Sequence, residues 1–174
     1  MRTDTIDYAL RQPMAGDALP IAELIGDWEV VRWLSTPPYP YVLADAVEFV
    51  GKASRHPWGP PFRTEVIEIE GRPAGIVGID PRKHGPNLGF WLGRPYWGRG
   101  IMTRAALQLT RDFFANSDEG RLNSGYFSGN VASMSIQRRL GFETSGEGLL
   151  FSRPQGQRLP HVETVLTRAR FEAN

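Results

Sequence analysis

The sequence predicts an α+β domain with α/β/α layering: a mixed, mostly antiparallel central sheet of about six to seven strands carrying about four helices. Three stretches predict it. Phe62 to Leu92 reads as three successive strands joined by short breaks, and Leu88 to Thr103 runs from a strand through a Gly-rich corner into a helix. Met102 to Phe113 and Ala132 to Leu140 carry apolar residues at helical spacing.

The length, 174 residues, suits one domain, 1–174, with one substantial core. The lack of cysteine excludes disulfides, thiolate metal sites and a cysteine nucleophile. His56, His84 and His161 are scattered, without the short spacing of a zinc helix, so they read as surface or loop residues and no metal is expected. A net charge of +1 with interspersed signs argues against a nucleic-acid platform. The N-terminal MRTDTIDYAL has no apolar h-region, and no apolar run approaches the roughly 20 residues of a membrane span. The expectation is a soluble cytoplasmic protein with neither a nucleic-acid nor a membrane partner.

Taken in order, Tyr8 and Leu10 suggest a short first strand ending at Gln12-Pro13. Asp17 reads as the N-cap of a helix with Pro20 in its first turn and Ile21, Leu24 and Ile25 on its apolar side. Asp27 caps a second short helix through Leu34, and Thr36 to Tyr41, with three prolines, is a stiff loop. Ala44 to Val50 is helical again, closed by the Gly/Pro-rich His56 to Pro61. Phe62–Glu70 and Ala74–Ile79 form a hairpin across Gly71-Arg72, and Pro81 to Pro86 is read as a loop before the Leu88 strand. The helix from Met102 stops in Asn116 to Gly120, and Arg121 to Phe127 is the next strand. Asn130 stands at a cap position, and Gly141 ends the following helix as a C′ residue. Leu149–Ser152 and Val162–Arg168 are the last two strands.

The chemistry centres on the corner. Gly98 and Gly100 let a ligand approach bare backbone, and the first turn of the helix leaves amides without partners, backed by the positive end of its dipole. Phosphate suits such a site. A dinucleotide fingerprint would need a third glycine where Thr103 stands, and the Gly-Lys-Ser/Thr of a Walker loop is absent. The residues alone leave a phosphate-bearing ligand and a plain tight corner both open.

A second stretch, Gly129 to Phe142 (GNVASMSIQRRLGF), bears on that choice. Together the two stretches resemble the GNAT superfamily of acyl-CoA-dependent N-acyltransferases, most closely its ribosomal-protein-alanine N-acetyltransferase-like branch. There Tyr-Trp-Gly-x-Gly, here Tyr96 to Gly100, opens the cofactor helix, and Asn-x-x-Ser before Leu-Gly-Phe, here Asn130, Ser133 and Leu140 to Phe142, marks the next. The resemblance implies a sheet splayed at its fourth strand and acetyl-CoA (coenzyme A) as co-substrate without a metal. Pantetheine would bond the strand near Trp91 and Leu92, and the pyrophosphate would rest on Gly98, Arg99, Gly100, Ile101, Met102 and Thr103. Two positions depart from the family pattern: Trp97 takes the place of Gln or Arg, and Met102 that of a small residue. Asn130 would bond the pantetheine amide, and the Ser133 hydroxyl would donate to the leaving thiolate. A plain helix cap at Asn130 and a local backbone bond at Ser133 are the alternatives.

The acceptor would be a primary amine, on a protein N-terminus or a small molecule. An α-amino group near pKa 8 needs less help from a base than a lysine near 10.4. Where relatives place a carboxylate at the start of the fourth strand this chain has Asn87, so the base is unassigned, with Glu65, Glu68, Asp80, Glu143, Glu147 and Glu163 as candidates. Trp33, Tyr39 and Tyr41, with Trp58 and Phe62, are the candidates for lining the acceptor channel. A non-catalytic acyl-CoA-binding module is the rival reading, and a homodimer is a further expectation of the resemblance.

Overall fold

The computed structural model describes residues 6–56 and 58–173. Residues 1–5, part of the stretch read for a leader, and Pro57 in the His56 to Pro61 loop lie outside it. Strands β1 (Ala9–Arg11), β2 (Arg63–Ile69), β3 (Arg72–Arg82), β4 (Gly85–Leu92), β5 (Arg121–Phe127), β6 (Glu143–Ser152) and β7 (Gln157–Thr167) form one seven-stranded sheet. Its spatial order is β1-β2-β3-β4-β5-β7-β6. Helices α1 (Ala18–Ile25), α2 (Trp28–Val31) and α3 (Leu43–Ala53) precede β2, α4 (Ile101–Ala115) links β4 to β5, α5 (Val131–Leu140) links β5 to β6, and α6 (Arg168–Glu172) closes the chain.

Side-chain alternation divides the apolar residues between the two faces of the sheet. Val66 and Ile76, opposite each other across β2 and β3, pack with Ile21, Ile25, Val31 and Val50 of α1 to α3. On the other face Ile67, Val77, Ile79, Leu88 and Leu92 meet Ile101, Ala105, Leu109 and Phe113 of α4. Each helix layer therefore covers one face, and the edges of β4 and β5 meet between them.

Local chemistry explains where the elements differ from the expected ones. The first hairpin turns on Glu70 and Gly71, with φ of 50° and 75°, the type I′ geometry that matches strand twist. Pro81 to Pro86 is sheet rather than loop, since Pro81 pairs with Pro86 and Arg82 with Gly85 around Lys83-His84. The Gly93 amide donates to the Ala74 carbonyl, so alternation makes Pro81 and Pro86 a non-hydrogen-bonded pair whose missing N–H groups cost the ladder nothing. β6 and β7 are longer than the sequence suggested because Glu143 to Gly148, a polar Gly-containing run, is held by pairing with β7. Asp27 caps α2 by accepting from the Glu29 amide at 3.0 Å. Asp17 does not cap α1; its buried carboxylate accepts from the Met14 amide and from two Arg11 nitrogens, each at 2.8 Å. Burial alone would raise its pKa, but these bonds and the Arg11 charge hold it below the usual carboxylate value.

Candidate active site

The parallel ladder between β4 and β5 is confined to Asn87 opposite Asn123, after which the strands part. With the Gly93 amide directed to β3, alternation sends those of Trp91 and Gly89 the same way and turns Leu88, Phe90 and Leu92 toward the gap. Two of their carbonyls are occupied: Ser124 Oγ donates to that of Leu88 at 2.9 Å, and Trp97 Nε1 to that of Leu92 at 2.7 Å. The Phe90 amide and carbonyl and the Leu92 amide are left facing a cleft of about 970 Å³. The Trp91 amide, grouped with Leu92 by the sequence reading, faces β3, and its side chain packs with the α1 to α3 cluster.

At the head of the cleft, Gly98 and Gly100 adopt φ of 73° and 68°. A Cβ on either would meet nothing within 4 Å, so glycine is needed there for conformation, not for room. This turn aims the amides of Ile101, Met102 and Thr103 into the cleft as the partnerless first turn of α4, while the Arg104 amide already bonds the Gly100 carbonyl at 3.2 Å. The Met102 side chain is buried in the core, so the long residue does not crowd the turn. Arg99 also lines the cleft.

On the β5 bank, Asn130 Oδ1 accepts from the Ser133 amide at 3.1 Å, so Asn130 is the N-cap of α5, and its Nδ2 is not used in the cap. One helical turn on, Gln137 is buried among polar partners. Its Nε2 donates to the Gly125 carbonyl at 3.0 Å and to Ser133 Oγ at 3.1 Å, while its Oε1 accepts from the Thr164 hydroxyl at 2.6 Å. A carbonyl can only accept, so the Gly125 bond fixes the amide's orientation. Ser133 Oγ is then an acceptor toward Gln137, and its own proton is free to donate into the cleft, which Ser133 lines.

On the opposite face of the sheet, the cleft floor carries Asn87 and Gly89 of β4, Asn123, Gly125 and Phe127 of β5, and His161 and Glu163 of β7. The His161 ring stands edge-on to Phe127, with centroids 5.5 Å apart. Burial holds this imidazole below the ordinary histidine pKa, opposed by the charge of Glu163. Trp33 lines the wall with its ring against Gly129 and the Arg32 guanidinium stacked on it at 4.8 Å. Two bonds tie this wall to the β6–β7 turn: Arg153 amide to Ser35 carbonyl at 2.9 Å, and Gln155 Nε2 to Arg32 carbonyl at 2.9 Å.

Of the expected acceptor-lining residues, the cleft brings in Trp33 and leaves out Tyr39 and Tyr41. Tyr39 rests on Trp28, with centroids 4.8 Å apart. Tyr41 packs among α1 to α3, where burial and the nearby Asp45 and Glu48 push its hydroxyl up to about 12. Phe62 packs on the α4 core instead, and Trp58 is exposed. Among the six carboxylate candidates, Glu65, Glu68, Asp80 and Glu143 are paired with Arg63, Arg11, Arg82 and Arg170. Glu147 is exposed outside the cleft, and Glu163 lines it. The sequence reading passed over Gln137 and took His161 for a surface or loop residue, but it stands half-buried on β7 inside the cleft, because pairing with β5 turns its ring over Gly125. Gln137 follows Ser133 by one helical turn, a usable signal, whereas the setting of His161 emerges only when β5, β6 and β7 are paired.

The sequence matches the acetyltransferase (GNAT) domain family over residues 8–143. No curated protein matches it. Among solved structures, the ribosomal-protein-alanine N-acetyltransferase from Brucella melitensis superposes with a TM-score of 0.73 at 21% identity, covering 91% of this chain and 99% of that one. The microcin C7 self-immunity acetyltransferase MccE, in complex with acetyl-CoA and AMP, gives a TM-score of 0.78 at 19% identity over 96% and 95% of the two chains. AAC(6')-Ib in complex with ribostamycin and coenzyme A gives 0.74 at 18% identity over 95% and 96%.

Proposed function

The chain belongs to the GNAT acetyltransferase family, and from that premise we propose that it transfers the acetyl group of acetyl-CoA to a primary amine, on a protein N-terminus or a small molecule, by direct attack on the thioester. Acetyl-CoA supplies the activated acyl carbon. The residues present suit it. The amides of Ile101, Met102 and Thr103 take the pyrophosphate at the positive end of α4, with Arg99 beside them. The backbone groups of Phe90 and Leu92 bond pantetheine as an added strand would, and Asn130 Nδ2 reaches its amide. A β4 amide facing the gap stabilises charge on the acyl oxygen. Ser133 gives its free proton as a hydrogen bond to the departing sulfur, enough help for a thiol of pKa about 8.5.

The observation that carries this reading is the hydrogen bond that Gln137 Nε2 gives to Ser133 Oγ beside the cleft, which uses the oxygen as an acceptor and leaves the hydroxyl proton to donate elsewhere. Thiol release from acetyl-CoA, followed over N-terminal alanine peptides, polyamines, free amino acids and aminoglycosides, tests it. We expect release with at least one class, and a loss of about tenfold in kcat, or about 1.4 kcal/mol, for Ser133→Ala. Coenzyme A at 100 Kd should stabilise wild type and variant alike by about 2.7 kcal/mol. Stabilisation by coenzyme A without transfer to any amine would favour a binding module instead.

A further inference from the structure

His161 and Glu163 lie outside the stretch shared with the family domain, and the strands around them have been cleared of side chains. Across the ladder Glu163 is opposite Gly125 of β5 and Gly146 of β6, and His161 is opposite Phe127 and Gly148. Three of these four facing positions are therefore glycine, which opens a trough in the sheet. A Cβ on Gly125 would come within 2.4 Å of His161 Cε1 and 2.7 Å of Nε2, so the imidazole occupies the space that this glycine vacates. The Gly125 carbonyl is the acceptor for Gln137, whose other bond fixes Ser133. The backbone at Gly125 thus has the imidazole on one face and the serine network on the other, at the bank of the gap between β4 and β5.

Resting on the acetyl-transfer reading, we propose that His161 is the general base, taking the proton from the attacking amine, and that Glu163 draws the acceptor in as an ammonium. His161 and Glu163 stand together in the cleft, and among the described residues neither has a salt bridge and neither imidazole nitrogen has a hydrogen-bond partner. The charged or titratable side chains at or beside the cleft on this side of the sheet are Glu163 itself, Arg32 stacked on Trp33 at the wall, and, toward the β3–β4 turn, the Asp80–Arg82 pair, His84 and Arg121, which bonds the His84 carbonyl. The remaining facing groups are neutral: Gly125 and Phe127, Gly146 and Gly148, Asn87 and Asn123, and Trp33 and Ser35. Burial keeps the imidazole in its neutral, proton-accepting form at neutral pH. In the step, the ammonium drawn in by Glu163 first gives up one proton to solvent; the lone pair of the resulting amine forms the C–N bond as the C–S bond breaks, and a second proton on nitrogen passes to the imidazole. The thiolate leaves on the Ser133 hydrogen bond and is protonated from solvent, which receives the imidazolium proton in turn.

The test is the pH dependence of kcat/KM for wild type, His161→Gln and Glu163→Gln on the best amine of the panel, with the coenzyme A thermal shift of each as the check on folding. Besides the limb set by the amine's own titration, wild type should show a second, steeper acid limb below pH 6.5, the ordinary histidine value. His161→Gln should lose that limb and about 100-fold in kcat, within the range for a general base, and Glu163→Gln should raise the acceptor KM with kcat held within a few-fold. A folded His161→Gln enzyme that keeps both the second limb and kcat within twofold overturns the His161 assignment while acetyl transfer stands. An unchanged acceptor KM in Glu163→Gln overturns the role given to Glu163. A wild type that takes the coenzyme A shift but transfers to no amine removes both acetyl transfer and the base.

Discussion

At Gln137 a single buried amide decides which way a hydroxyl proton points. Gln137→Leu would leave the Gly125 carbonyl and the Thr164 hydroxyl without their partner, a loss of about 1–3 kcal/mol for each buried group stranded. It would also free Ser133 to turn its proton onto its own helix. We expect both Gln137→Leu and Gln137→Glu to lower Tm and kcat, the Glu variant because a buried carboxylate can donate neither to the Gly125 carbonyl nor to Ser133; melting curves beside steady-state kinetics follow the two effects. At this scale the sequence was only partly readable. Asn130 and Ser133 stand out by their spacing before Leu140-Gly141-Phe142, and Met102 was an apparent conflict that its burial removes. His161 carried no local signal, because the glycines around it lie at sequence separations of 13 to 36 residues and become neighbours only across strands.

Among the elements, the corner into α4 shows how conformation alone can constrain sequence. Gly100 needs a left-handed backbone but has open space around it. Gly100→Ala should therefore cost about 1–2 kcal/mol of backbone strain and no steric clash, about 2–8 °C in Tm for a chain of this size. The same change should weaken the coenzyme A thermal shift by more than it weakens the apoprotein, since the strained turn also aims the amides of Ile101 to Thr103; melting with and without coenzyme A checks this. The α4 and β2–β3 patterns were legible because period and punctuation agree there. The β3–β4 turn was not, since Pro81 and Pro86 look like breakers until the register shows that neither owes the ladder an N–H. β6 was underestimated for the opposite reason, its polar residues being held in a strand by pairing that no local propensity predicts.

Across the whole molecule, the sheet is mixed only where α4 carries the chain from β4 back to β5, and that is where it opens. A gap between parallel neighbours in the middle of a sheet is a passage from one face to the other. The α4 and α5 side presents the corner amides, Asn130 and Ser133; the other side presents Trp33, His161 and Glu163. Two reactants can therefore arrive from opposite directions, with neither needing to vacate the passage for the other. With both aboard together, as the proposed direct attack requires, double-reciprocal plots at several fixed acetyl-CoA concentrations should intersect, and no acetylated enzyme should accumulate when the amine is withheld. Parallel lines, or a stoichiometric burst of free thiol without amine, would contradict it.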